Sequence, residues 1–256
     1  MEITKQWMKQ RIDQRMTENV DVSVYVRALT SNAPFIYNDR LMQAASLIKL
    51  PIMITAFLQE WRGHLHFADT YPVRDAVEGG SFYEASAGKV ASVYELVFHM
   101  IVESDNTCAN MLMDILGAEA INETAQMLSL EHTVLRRKMM DFAAASQGRE
   151  NTTSVSEMGR LFGMLASGQC LDERRDEAML LILSQQEDNC ILPAQIPNNI
   201  RVEHKTGELE GVYHDCGIVR KPGNPYICCI MADGITNEPH ALYDLSYLAR
   251  DIYEMM

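Results

Sequence analysis

Apolar residues recur along this chain with two periods, and the change from one to the other organises it. Ile3, Trp7 and Ile12 stand among charges and amides over residues 2–16, the spacing of an amphipathic helix. Val22, Val24 and Val26 then alternate with Ser23 and Tyr25, as in a strand. Ser31-Asn32-Ala33-Pro34 reads as a turn, and Phe35-Ile36-Tyr37-Asn38 as a second strand. After Asn38 the period becomes helical. Residues 44–61 read as one apolar helix, which tolerates Pro51 only in its first turns or at a kink. Residues 63–90 read as loop, punctuated by Gly63, Pro72, Gly79-Gly80 and Gly88.

Ser92-Val93-Tyr94-Glu95 has the form of a capping box, opening a helix to about Glu103. Further helices are expected from Asn106 to Leu116, stopped by Gly117, and over 119–129. Another runs to Ala166 behind the cap in Thr153-Ser154-Val155-Ser156-Glu157, and one more covers 172–184. Residues 131–151 read as irregular, and Pro193 and Pro197 mark the exit from the helical block. Strand character returns in Arg201–Thr206, in Gly217–Arg220, and in Tyr226–Ala232 beyond a turn at Pro222-Gly223-Asn224-Pro225. A final helix over 239–254 carries Leu242, Leu245, Leu248 and Ile252.

Strands at both ends with helices between them predict an α+β fold, a three-layer α/β/α sandwich. Its antiparallel sheet comes from both chain ends and is flanked by the terminal helices. On this reading residues 1–40 and 198–256 form the sheet domain and 41–197 an inserted all-helical domain. The cleft between the two is the natural place for a small-molecule site.

Composition narrows the function. The net charge of -13 argues against nucleic acid or an anionic membrane as partner. No stretch has the length of a membrane span, and the N-terminus lacks a signal-like apolar run. The chain as written is therefore expected in the cytoplasm, or outside it if a leader has been removed. Cys108, Cys170, Cys190, Cys216, Cys228 and Cys229 show no metal-ligand spacing, so free thiols and no metal or other cofactor are expected. Cys228 and Cys229 would point to opposite faces of their strand.

Three short motifs carry the chemistry. Ser46-Leu47-Ile48-Lys49 puts a hydroxyl and an amine on one face of a helix. Burial among Leu, Ile and Met lowers the lysine pKa, which makes a base beside a nucleophile. Ser104-Asp105-Asn106 lies at a helix junction, and Lys205-Thr206-Gly207 at the end of a strand, where glycine lets a ligand approach the backbone. The gaps are 58 residues from Ser46 to Ser104 and 101 from Ser104 to Lys205.

In order and spacing, the set resembles the penicillin-recognising serine hydrolases, in particular the class A β-lactamases, over nearly the whole chain. The resemblance implies that Ser46 attacks a β-lactam or acyl-D-alanine-like carbonyl, with Lys49 as base and Ser104 relaying a proton to the leaving nitrogen. It implies that Asn106 holds the substrate's side-chain carbonyl and Lys49, while Lys205 and Thr206 hold its carboxylate. The backbone amides of Ser46 and of Glu208, just past Gly207, would form an oxyanion hole. Asp105 is expected to brace its loop.

The chain also departs from the pattern. The class A enzymes carry a deacylating glutamate and a neighbouring asparagine before a segment like Arg149-Glu150-Asn151-Thr152-Thr153. Aligned without gaps, those positions fall on Lys138 and Phe142. Asp141 is the nearest carboxylate. It replaces the glutamate if the loop is reshaped, or, as preferred here, pairs with Arg136 or Arg137 as a structural bridge. Without a second base a β-lactam acylates the protein and stays. The expected activities are thus a β-lactamase-type hydrolase or, alternatively, a D-alanyl peptidase, an esterase or a non-turnover penicillin-binding protein. Glu208 and Glu210 bring acids to the rim, and His214 is expected at the surface, held by Asp215 in a hairpin.

Overall fold

A computed structural model of the chain describes residues 3–17, 20–82 and 88–256. Thr4 accepts the Trp7 amide and starts helix α1 (Lys5–Arg15). Strands β1 (Asp21–Ala28), β2 (Phe35–Tyr37) and β3 (Met42–Gln43) follow, then a 3₁₀ turn over Ala45–Ile48 and helix α2 (Lys49–Trp61). The stretch read as loop over 63–90 contains strand β4 (Thr70–Pro72) and runs into β5 (Val90–Ser92), paired antiparallel with it. Residues 83–87 of that stretch lie outside the described residues.

The Ser92–Glu95 capping box is formed in both directions and opens α3 (Val93–Val102). Helices α4 (Asn106–Leu116) and α5 (Ala118–Met127) follow. The irregular 131–151 segment holds one short helix, α6 (Phe142–Ser146). Strand β6 (Thr152–Thr153) pairs with β3, and α7 (Val155–Ala166) begins at the Ser154 cap. Helix α8 (Glu173–Leu183), strands β7 (Val202–Leu209), β8 (Val212–Val219) and β9 (Tyr226–Asp233), and helix α9 (Glu238–Met255) complete the chain.

The main sheet is antiparallel, in the order β2-β1-β9-β8-β7. Alternation along the strands builds two cores from one sheet. Val22, Val24 and Val26 join Cys228, Ile230 and Ala232 under Met8 and Ile12 of α1 and Leu245, Leu248 and Ile252 of α9. Tyr25, Cys216, Ile218, Cys229 and Met231 face the other way, onto Met158, Leu161 and Phe162 of α7 and the helices behind it. Cys228 and Cys229 thus divide between the faces as their adjacency requires. The third layer comes from within the 41–197 segment, because α7 lies directly on the sheet. No helix among the described residues is long and apolar enough to cross a membrane.

Two strand expectations need correction. Lys205-Thr206-Gly207 lies inside β7, not at its end, because that strand continues to Leu209. Strand β8 starts at Val212, five residues before the expected Gly217. His214 and Asp215 hid it: both are buried, so the polar-outside rule fails there. His214 is not a surface residue held by Asp215. Its Nε2 meets the Gln43 carbonyl at 2.8 Å, while Asp215 meets His204 Nδ1 at 2.8 Å and accepts the Leu192 amide at 2.9 Å.

Candidate active site

Strand β3 delivers the chain to Ala44, whose amide donates to the Asn151 carbonyl at 2.8 Å. Ala45 then takes a left-handed φ of 46° and turns the chain into the 3₁₀ segment. Such a backbone costs a non-glycine residue about 1–3 kcal/mol, so the surrounding contacts must hold it. Ser46 therefore sits in the 3₁₀ turn, and Lys49 is the first residue of α2, rather than both lying in one α-helix. The juxtaposition survives the change, because side chains at i and i+3 eclipse in a 3₁₀ turn. Lys49 Nζ lies 2.9 Å from Ser46 Oγ. Pro51 falls in the first turn of α2, where a missing N–H costs nothing.

Lys49 is fully buried. Its Nζ also reaches the Ser104 carbonyl (2.6 Å), Ser104 Oγ (3.0 Å) and Asn106 Oδ1 (2.8 Å). Burial, reinforced by the charge of Lys205, pushes its pKa well below the ordinary lysine value. This shift favours the neutral amine, the form that can accept a proton from a neighbouring hydroxyl.

Ser104 links α3 to α4 with a left-handed φ of 57°. Asp105 is buried and braces this link as expected: one oxygen caps α4 through the Cys108 amide and the other accepts the Phe82 amide. Gly79 and Gly80 make room for it. A Cβ at Gly79 would collide with Asn106 Nδ2, and one at Gly80 with the Asp105 carboxylate. Asn106 Nδ2 donates to the Glu78 carbonyl at 2.8 Å, so one of its two protons is left for a ligand.

Lys205, on β7, is also fully buried, with Nζ 3.1 Å from Ser104 Oγ and 3.1 Å from the Thr206 carbonyl. Ser104 Oγ thus lies between two lysine nitrogens. Burial lowers the Lys205 pKa to about 8, against the opposing pull of Asp188 and Asp215. Gly207 brings strand and turn together. A Cβ there would lie 3.2 Å from the Ala45 Cβ and 3.3 Å from both the Ala44 oxygen and the Ser46 amide nitrogen. Thr206 is buried beside it and Glu208 is exposed. The buried His204–Asp215 pair behind Lys205 had no signal in the sequence beyond the proximity of His204 to the motif.

The 136–151 loop departs from expectation. Asp141 pairs with neither Arg136 nor Arg137; it caps α6 by accepting the Ala144 amide at 2.9 Å. Arg137 pairs with Glu150 instead, and Arg136 reaches the Glu150 carbonyl and Thr152 Oγ1. Lys138 pairs with Asp114 at the surface. Asn151, given no role of its own in the sequence reading, is the buried pin: its Oδ1 accepts the amides of Arg136 and Arg137, and its Nδ2 donates to the Arg137 carbonyl. Asn110 clamps both backbone groups of Met139. Asp141 and Glu150, the two carboxylates of this loop, are both engaged within it. No cluster of His, Cys, Asp and Glu able to hold a metal occurs among the described residues.

Comparisons with known proteins point to one family. The chain is similar to Beta-lactamase 1 of Streptomyces cacaoi, 28% identical over 160 residues that make up 58% of this chain and 49% of that protein. It is similar to the β-lactamase of Streptomyces fradiae, 26% identical over 165 residues, 63% of this chain and 54% of that one. The match thus spans about half the length of these curated relatives. Among solved structures, PBP-A superposes with a TM-score of 0.87 at 27% identity, covering 97% of this chain and 94% of that one. The β-lactamase of Sphaerobacter thermophilus shares the fold with a TM-score of 0.90 at 22% identity, over 99% of this chain and 98% of that one. The family described as the β-lactamase enzyme family matches residues 7–256. With that match running over nearly all of a chain whose serines and lysines converge in this way, the protein belongs to the β-lactamase enzyme family.

Proposed function

We propose that this protein is a serine hydrolase that forms an acyl-enzyme at Ser46 with β-lactams or related acyl-D-alanine-like amides and esters, and releases it slowly. The observation that carries the reading is the buried Lys49 amine, 2.9 Å from Ser46 Oγ and 3.0 Å from Ser104 Oγ. Lys49 takes the Ser46 proton as the oxygen attacks the carbonyl carbon. The amides of Ser46 and Glu208 receive the developing oxyanion, where such donors commonly supply about 3–4 kcal/mol. Ser104 passes a proton to the leaving nitrogen and is resupplied by Lys49. Asn106 offers its free amide proton to the substrate's side-chain carbonyl. Lys205 and Thr206 hold the substrate carboxylate.

Slow release follows from the loop. Aligned without gaps, the usual glutamate position falls on Lys138, and Asp141 and Glu150 are bound to Ala144 and Arg137. No loop carboxylate is left in position to activate water by this account. The observation favours, as a second reading, a penicillin-binding peptidase or esterase over an efficient β-lactamase. PBP-A, a variant of which has been captured as an acyl-enzyme with penicillin G, lends it support.

The test pairs a chromogenic cephalosporin assay with intact-mass spectrometry after benzylpenicillin. A persistent adduct on Ser46, with turnover far slower than acylation, is expected. Fast steady turnover overturns the slow-release part. Labelling that survives in Ser46→Ala would falsify the nucleophile.

A further inference from the structure

Two adjoining concavities of about 640 and 490 Å³ share Leu128, Ser129, Met164 and Gln169, and so form one groove. None of its lining residues belongs to the serine–lysine cluster. The other residues of one end are mostly apolar, Leu58, Trp61, Met127 and Leu171, with Arg62 among them and the Arg175 guanidinium stacked on the Trp61 ring; Trp61 and Met127 are each 50% exposed. The other end holds Arg27, Arg160 and Tyr25. Both guanidiniums act on the buried Tyr25 phenol, opposing the upward push of burial on its pKa.

Arg27 is the informative residue. Its Nε is buried without a hydrogen-bond partner. Arg40 and Arg175 share that feature, but their terminal nitrogens pair with Asp233 and Asp172. Arg27 has no carboxylate partner among the described residues. A guanidinium stays charged at any ordinary pH, and its planar fork matches a carboxylate or phosphate. Helix α7 makes space for it. A Cβ at Gly163 would collide with Arg27 Nη2, and one at Gly159, a turn earlier, with the Tyr25 ring. Both glycines weaken the helix relative to alanine, which singles out the cradle as something the fold retains at a cost.

No acidic side chain lines the groove. Glu157 reaches Arg160 at 3.6 Å, and the same guanidinium donates to the Ser129 carbonyl, so Arg27 carries the larger unmet charge. The chain as a whole bears -13. At physiological salt, exposed charges beyond about 8 Å are largely screened, so the local arginines decide the sign of the site. The apolar end would add the burial of a hydrocarbon chain.

We propose that this groove binds a single-chain amphiphilic anion. Its carboxylate or phosphate head lies on Arg27 and Arg160, and its alkyl chain runs over Leu128 and Met164 toward Trp61.

The experiment uses the full chain with dodecanoate and dodecyl phosphate below their micellar concentrations. Dodecanol and inorganic phosphate are the comparisons. Trp61 fluorescence and calorimetry report binding; Trp7, on α1, is the other tryptophan. Saturable one-to-one binding of at least one anion is expected, with dodecanol about tenfold weaker or worse. Tighter dodecanoate identifies a fatty-acid head, and tighter dodecyl phosphate a lipid phosphomonoester. Arg27→Gln should weaken binding about tenfold or more. Gly163→Ala should do likewise while keeping every charge, and it needs only the flexible guanidinium to move, so it remains informative if Arg27→Gln fails to fold. Trp61→Phe should abolish the fluorescence change and keep the calorimetric signal. Dodecanol binding as tightly as the anions overturns the proposal. So does unchanged affinity in the folded variants, a fluorescence change that persists without Trp61, or inorganic phosphate matching dodecyl phosphate.

Discussion

Lys205 should set the alkaline limit of acylation for substrates that carry a carboxylate. Its ammonium is fully buried 3.1 Å from Ser104 Oγ, and burial lowers its pKa to about 8. The charge is therefore present below pH 8 and lost above it. A hydrogen bond to a charged group contributes about 1.5–3 kcal/mol, or roughly 10- to 150-fold in a rate constant. About a tenth of the lysine remains charged one pH unit above its pKa. The second-order acylation constant of benzylpenicillin should thus fall about tenfold by pH 9 and level off within that range. Lys49 acts in the opposite direction: its neutral form grows with pH, so the acid side of the profile rises. Rapid-quench mass spectrometry of the Ser46 adduct from pH 5 to 10 measures the curve, and the second-order constant reports the free protein. The methyl ester of the same penicillin has no carboxylate and should keep the acid limb only. Lys205→Arg holds its charge throughout and should move the alkaline limb out of range. An alkaline limb of equal size and midpoint with the methyl ester would refute the assignment of the carboxylate to Lys205.

The same lysine gives a stability prediction with a definite sign. Its folded pKa lies below the unfolded value of about 10.4, so the folded chain gives up the proton first, and stability should rise between pH 8 and 10.4 by about 3 kcal/mol relative to Lys205→Met. Urea titrations of the two proteins across that window check it, and a constant difference contradicts it. Asn151→Ala strips the partners from the amides of Arg136 and Arg137 and from the Arg137 carbonyl, and should cost about 2–4 kcal/mol in urea unfolding, with Asn151→Asp intermediate because it restores the acceptor alone. Asp141→Asn should leave deacylation and stability nearly unchanged, since asparagine caps a helix as well as aspartate, whereas Asp141→Ala should cost about 1 kcal/mol. A large loss of turnover with normal acylation in Asp141→Asn would show that this carboxylate serves the chemistry.

Features written in neighbouring residues were legible in the sequence alone. The Ser92–Glu95 box, the Gly117 stop and the Ser154 cap satisfy backbone groups three or four residues away, so their local pattern was enough. The alternation of Val22, Val24 and Val26 needed only the period of a strand. The three motifs named the candidate reacting residues, but through resemblance in order and spacing rather than through any visible contact.

Contacts between distant residues were decided by the tertiary structure. Lys49 and Asn106 are 57 positions apart, and Ser104 and Lys205 are 101 apart; nothing local says that each pair meets. The partner of Arg137 shows the same limit. Asp141 and Glu150 were both available to it, and the backbone path chose Glu150 by turning Asp141 into a helix cap. His214 and Asp215 obscured β8 because a buried polar side chain obeys its hydrogen-bond partners, here Gln43, His204 and Leu192, and not the strand's own period. Period and capping are properties of a short stretch, so the sequence determined the main helices and the terminal strands and named candidate reacting groups, while β4, β5 and the start of β8 escaped it. Which groups lose water together, and which of them share a proton, depends on packing between stretches that only the folded chain brings into contact.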